Sequence, residues 1–356
     1  MLKFARLARH LVVMGAAVAL VALAPTTASA ADIHTGGATG AYHSTFCPLL
    51  KKRLAGFGAN YDCKTSLGSA ENLRNVIQNP ADFAFTQLDV FALESRRLGG
   101  DRALSVVRSD DARECVFAVT RNKDLTNYGE LAVNADRLQF ILPPRSSGSA
   151  STFDFLSSID PTGLGRARRV RHAADTDEAI RQALSDENTV TFFVQFPDPS
   201  NERFRLIERL GGHLVPIVDG LILEQRVGGE QIYFAQETRI EQRRWLRAGR
   251  TVVTACTPIA LISGNSNRIP GADSRLAHRQ LIENIRTLPA ADLLPQGSVV
   301  ARLAKQTRLA SARVQEHFLI LSRNARERAR PFVTRMYRIA RDGIRTMIRK
   351  AQPQPY

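Results

Sequence analysis

Apolar positions in this chain come in short runs, each followed by a turn of small residues and then by a stretch with helical spacing. The pattern predicts a strand around Asp32–Thr35, a Gly-rich turn, and a helix from about Ser44 to Gly56. A second strand, Asn60–Thr65, leads through Ser66-Leu67-Gly68 into a helix from Ser69 to Gln78. Ser69 is its expected cap, and Glu71 stands in the first turn, where the helix dipole favours an acid. Asp82–Gln87 reads as a short buried strand whose polar end carries Gln87 and then Asp89. The apolar run Cys115–Thr120 predicts a long strand. The device then repeats: the strand Gln139–Leu142, a turn over 143–149, and a helix to about Ser158. Beyond it come a helix Thr176–Ser185, a strand Thr189–Phe196 that brings Gln195 to its end, a helix Phe204–Leu210 and a strand His213–Ile217. Thr251–Ile262 is a long apolar run broken by Pro258, suited to a return crossing, and the helix Ser274–Thr287 closes the core.

Two segments fall outside this rhythm. At the start, Lys3, Arg6 and Arg9 precede an apolar run from Leu11 to Leu23 and the small-residue stretch Ala28-Ser29-Ala30. That is the layout of a cleavable export signal over residues 1–30, and the run is short for a spanning helix, which needs about 20 residues. The end is basic. Residues 291–356 carry +10 of the net +15 and the leader +3, so about +2 remains for 31–290. A basic isoelectric point that belongs to the tail is weak support for nucleic-acid binding. The pattern predicts two helices there, Ser298–Arg330 and Phe332–Lys350, separated by Pro331. The second places Phe332, Met336 and Ile339 near one face among arginines, which suits an anionic membrane surface, an acidic protein partner, or docking on the body.

A mature chain of about 325 residues is long for a single core and suits two lobes. The expected division is 31–116 with 252–290 as the first lobe, 117–251 as the second, and 291–356 as a helical C-terminal extension. The fold class is α/β. Four cysteines follow the leader, an even number that permits disulfides in an exported chain. In a βαβ unit the start of the helix after the first strand lies near the end of the second strand. A Cys47–Cys63 bridge is therefore plausible. Cys115 and Cys256 can pair, but the sequence does not set their register.

Helix starts behind Gly/Ser turns present unbonded N–H groups and bind anions without cationic side chains. A carboxylate held between the lobes could accept from Gly68–Ser69 on one side and Ser147–Gly148 on the other. Ser66, Ser69, Ser147 and Ser149 could add hydroxyl donors, and Arg145 a bidentate pair. Any one of these serines alone is better explained as a plain helix cap, and it is the convergence of two such turns from opposite lobes that points to binding. Tyr42 offers a ring and a hydroxyl, and Gln87 and Gln195 offer amides at strand ends. His43 followed by Cys47 is too few ligands for a metal. No G-x-S-x-G, H-E-x-x-H or Walker pattern occurs, and no cofactor is expected.

On these residues the chain resembles a type II periplasmic binding protein, and in particular the TAXI family of solute receptors for tripartite ATP-independent periplasmic (TRAP) transporters. The first turn resembles the family's GG-x-x-G-x-Y through Gly36, Gly37, Gly40 and Tyr42. The second resembles T/S-G-G-S-x-E-N-L through Ser66, Gly68, Ser69, Glu71, Asn72 and Leu73, with Leu67 replacing a glycine. Ala81, Asp82, Ala84, Gln87 and Asp89 match A-D-L-A-x-x-Q-x-D. Pro143, Pro144, Ser147, Gly148 and Ser149 follow G-P-P-G-S-G-T, from which Arg145 and Ser146 depart. The resemblance covers about 31–290. It implies a two-lobed periplasmic receptor that is not an enzyme and that hands a small organic anion, a carboxylate or amino-acid-like, to TRAP membrane subunits. Gly37 joins the ligand residues through the first turn. Two other readings stand beside it: a periplasmic lyase or dehydratase on the same fold, for which Glu71 is the nearest acid, and a sensor or scaffold subunit acting through the basic tail.

Overall fold

The structure, a computed structural model, describes residues 31–98, 103–241 and 249–293. The leader and the two helices expected beyond Ser298 lie outside these residues.

The first half runs β1 (Ala31–Gly36), a π-helical turn (Tyr42–Phe46), α1 (Cys47–Gly56), β2 (Tyr61–Thr65), α2 (Ser69–Gln78), β3 (Phe83–Gln87), α3 (Leu88–Arg97) and the long strand β4 (Leu104–Thr120). The second half runs α4 (Tyr128–Val133), β5 (Gln139–Leu142), α5 (Gly148–Ile159), β6 (Arg169–His172), α6 (Thr176–Ala183), β7 (Thr189–Gln195), α7 (Glu202–Arg209), β8 (His213–Val215) and α8 (Gly220–Leu223). A small hairpin of β9 (Arg226–Val227) and β10 (Glu230–Gln231) precedes β11 (Phe234–Arg239), β12 (Thr251–Gly264), α9 (Ala272–Thr287) and α10 (Ala290–Leu293).

The main path through the sheet is β2-β1-β3-β12-β4-β7-β5-β6. Its ends are two parallel groups, β2-β1-β3 and β7-β5-β6. Between them β4 and β12 run antiparallel to each other, β12 also pairing with β3 and β4 with β7. One strand therefore leaves the first lobe and one returns. This is the two-lobed α/β arrangement of periplasmic binding proteins. Each lobe buries its own core, around Leu50, Phe83 and Phe85 in the first and around Phe140, Phe155 and Phe192 in the second.

Pro258 does not break the return strand. β12 continues through it, and the register shift between Pro258 and Ala260 absorbs the missing N–H. Ser69 is not the cap of α2. Gly68 holds that position at φ +142° with no side-chain cap bond, and Ser69 is the first helical residue. Its hydroxyl is thereby free to act elsewhere. Both cysteine pairs are disulfides: Cys47–Cys63 ties the start of α1 to β2, and Cys115–Cys256 staples the two crossing strands.

Candidate functional site

The ends of β1, β2 and β3 and the turn after β5 come together where the lobes meet. Gly68, before α2, lies directly against the turn before α5. A Cβ at Gly68 would sit 2.6 Å from the Ser146 carbonyl oxygen and 2.9 Å from Ser147 Cα, so only glycine allows the two turns to touch. Gly148, the first residue of α5, packs onto the side-chain amide of Gln87, which a Cβ would overlap.

Gln87 is the centre of the contact. Its Oε1 accepts from Ser69 Oγ at 2.6 Å, and its Nε2 donates to Glu114 Oε2 at 2.8 Å. The Tyr42 hydroxyl donates to the same Glu114 oxygen at 2.7 Å. Three elements thus meet at one carboxyl group, the π-helical turn, β3 and the crossing strand β4, and α2 joins them through the bond of Ser69 to Gln87. Burial pushes the Glu114 carboxyl up to about 7, against the lowering effect of the bonds from Tyr42 and Gln87. Burial and Glu114 together hold the Tyr42 phenol well above its usual range. Register places Thr257 opposite Glu114, and the buried Thr257 hydroxyl has no hydrogen-bond partner among the described residues. Arg113, one residue earlier, stacks its guanidinium 3.7 Å over the Phe234 ring.

The other expected residues divide. The Ser66 hydroxyl donates to Asn72 Oδ1 at 2.5 Å and braces the turn, while Asn72 Nδ2 donates to the Phe85 carbonyl at 2.8 Å. Ser147 caps α5 by accepting from Ala150 N at 3.2 Å. Ser149 Oγ accepts from Val194 N at 2.9 Å and pins α5 to β7. Gln195 is buried at the end of β7, and its Oε1 accepts from Arg203 at 3.1 Å while its Nε2 has no partner among the described residues. Gly37 is exposed in the turn ahead of α1, and Arg145 is exposed in the turn ahead of α5. Cys47 is consumed by its disulfide, and His43 Nδ1 faces the Thr35 hydroxyl at 3.0 Å, so this pair holds no metal. Among the described residues there is no cluster of His, Cys, Asp or Glu able to hold one.

Glu71 accepts from Leu67 N at 2.7 Å across its own helix start. Glu114 was missed by sequence reading. It follows a polar run, Ser109-Asp110-Asp111-Ala112-Arg113, that carries no strand alternation. Only the folded contacts with Tyr42 and Gln87 bring it to the site.

No family model and no curated protein matches the sequence. Among solved structures, the GluR0 ligand-binding core in complex with L-glutamate is similar over 79% of this chain and 99% of its own, at 9% identity and TM-score 0.41. A periplasmic transporter structure covers 82% of this chain and 97% of its own, at 12% identity and TM-score 0.39. A Candida albicans protein with the generic periplasmic binding protein structural fold covers 72% and 67%, at 11% identity and TM-score 0.42. The architecture stated above rests on the strand order of this chain.

Proposed function

We propose that this chain is an exported, non-catalytic solute receptor that closes its lobes, 31–116 with 252–290 and 117–251, on a small organic anion. The observation that carries the reading is the meeting of two helix N-termini, α2 and α5, on the Gln87 amide. Gln87 Oε1 occupies the seat that a ligand's anionic oxygen would take, accepting from Ser69 and lying against Gly148. A ligand that displaces it finds Glu114 and Tyr42 immediately behind. That combination favours an amino-acid-like ligand, with its carboxylate at the helix starts and its ammonium at Glu114, over a plain carboxylate. The rest of the predicted set, Ser66, Ser147, Ser149 and Gln195, shapes the seat, with Gly37 and Arg145 at its rim. Two disulfides support a compartment outside the cytoplasm. The turn motifs of the TAXI family support delivery to TRAP-type membrane subunits, and the basic tail supports contact with an anionic membrane surface or an acidic protein.

Thermal-shift screening tests this directly. Amino acids should raise the melting temperature more than the hydroxy acids of the same skeleton, with no product formed. Gln87→Ala and Ser69→Ala should each weaken the response. Turnover of a stabilising compound would instead make the chain a lyase. Equal stabilisation by amino acid and hydroxy acid would remove Glu114 from ligand choice.

A further inference from the structure

A second cavity lies on the far side of the second lobe. It has a volume of about 720 Å³, within the range of drug-sized ligand pockets, roughly 300–1,000 Å³. It begins at Arg121, seven residues along from Glu114. At about 3.3 Å per residue of extended strand, that places it roughly 20 Å from the lobe interface. Its floor is apolar, formed by Phe204 and Ile207 of α7, Leu214 of β8, Ile240 and Val252.

Cations stand at its rim, and they are not equivalent. Arg250 is neutralised by Glu241 at 3.2 Å and Glu208 at 3.7 Å. Arg121 donates to the Leu184 carbonyl, a neutral acceptor, at 3.3 Å. Lys123 is exposed. Among the described residues no carboxylate lies within ion-pair distance of Arg121 or Lys123. An apolar floor with two uncompensated cations at one end is complementary to a molecule with an apolar chain and one anionic head. We infer that this cavity is a second ligand site, for a small amphipathic carboxylate such as a medium-chain fatty acid, with its head at Arg121 and Lys123 and its chain over Leu214. The site is independent of the seat at Gln87, and neither reading depends on the other.

Isothermal titration of the full protein with octanoate, octan-1-ol and acetate tests the assignment. Octanoate should bind saturably at one site, and octan-1-ol, which lacks the charge, and acetate, which lacks the chain, about tenfold more weakly or less. Lys123→Glu should weaken octanoate about tenfold, the scale of one charged contact. Leu214→Trp, which fills the floor, should abolish binding, and Arg121→Gln gives a second reading of the head contact. Gln87→Ala, in the other seat, should leave octanoate affinity unchanged. Octanoate binding that survives both Lys123→Glu and Leu214→Trp would overturn the proposal, as would binding lost in Gln87→Ala or no saturable binding at all.

Discussion

Below its raised pKa the Glu114 carboxyl is neutral and fits its half-buried place, and above it the group must carry charge there. Its ordinary value is 4.5 and its folded value about 7, so between those limits the folded state holds a proton that the unfolded chain has released. The resulting stability is fully present below about pH 4.5 and is lost as pH rises through about 7. His278 works in the opposite sense. Burial between the Ser263 and Ser266 hydroxyls lowers it from 6.5 to about 4, and its contribution is lost as pH falls through that window. The Glu114→Gln variant keeps His278 and removes only the first effect. Urea denaturation of variant and wild type at pH 5 and pH 8 should therefore show the difference in stability moving toward the variant by on the order of 2–3 kcal/mol. A constant difference would mean that water reaches the carboxyl freely. At this scale the sequence revealed one part of the site and hid another. Ser69, Gln87 and Gly148 were legible because strand ends and helix starts are marked by small and polar residues. Glu114 was hidden because the feature that matters, its burial opposite Thr257, comes from pairing across a sequence separation that no local pattern records.

The elements that join the lobes are the ones the sequence showed least clearly. α3 is buried along Leu88–Ser95 on every side, so it lacks the polar face that marks a helix. The apolar pattern marks only the Cys115–Thr120 half of β4, and Pro258 makes the β12 run look interrupted. The parallel groups, by contrast, were legible from runs such as Phe83–Gln87 and Gln139–Leu142, whose ends carry turn residues. The crossing strands depend on the Cys115–Cys256 bridge, which closes a separation of 141 residues, whereas Cys47–Cys63 closes 16. In the loop-entropy account their losses should cost about 5 and about 3 kcal/mol. Chemical denaturation of Cys115→Ala/Cys256→Ala and of Cys47→Ala/Cys63→Ala should give that order. The reverse order would show that the crossing strands hold their register by backbone pairing alone.

At the scale of the whole molecule, the receptor proposed above would have to open to admit a ligand, and in this structure side chains of the two lobes bond across the seat. Besides the Gly68 contact, Asp89 at the start of α3 is fully buried and accepts from Thr152 Oγ1 of α5 at 2.6 Å and from the Tyr233 hydroxyl at 2.7 Å. Arg97 reaches Asp154 at 3.4 Å in an exposed pair. The exposed Arg97 pair adds little. The buried Asp89 bonds matter more, because a carboxylate that loses a donor inside the protein is costly, by about 1–3 kcal/mol. That scale bears on the equilibrium between closed and open forms, since each 1.4 kcal/mol changes it about tenfold and apparent affinity scales with the binding-competent fraction. Thr152→Val keeps the shape of the side chain and removes its donor. It should therefore raise the open population, seen as a larger radius of gyration in solution scattering without ligand. Amide hydrogen exchange at the starts of α2 and α5 should be faster, with the cores of both lobes unchanged. Ligand should restore the wild-type values in both measurements. If scattering and exchange stay at wild-type values in Thr152→Val and in Tyr233→Phe, the lobes form one rigid body, and a receptor that captures its ligand by closing is excluded.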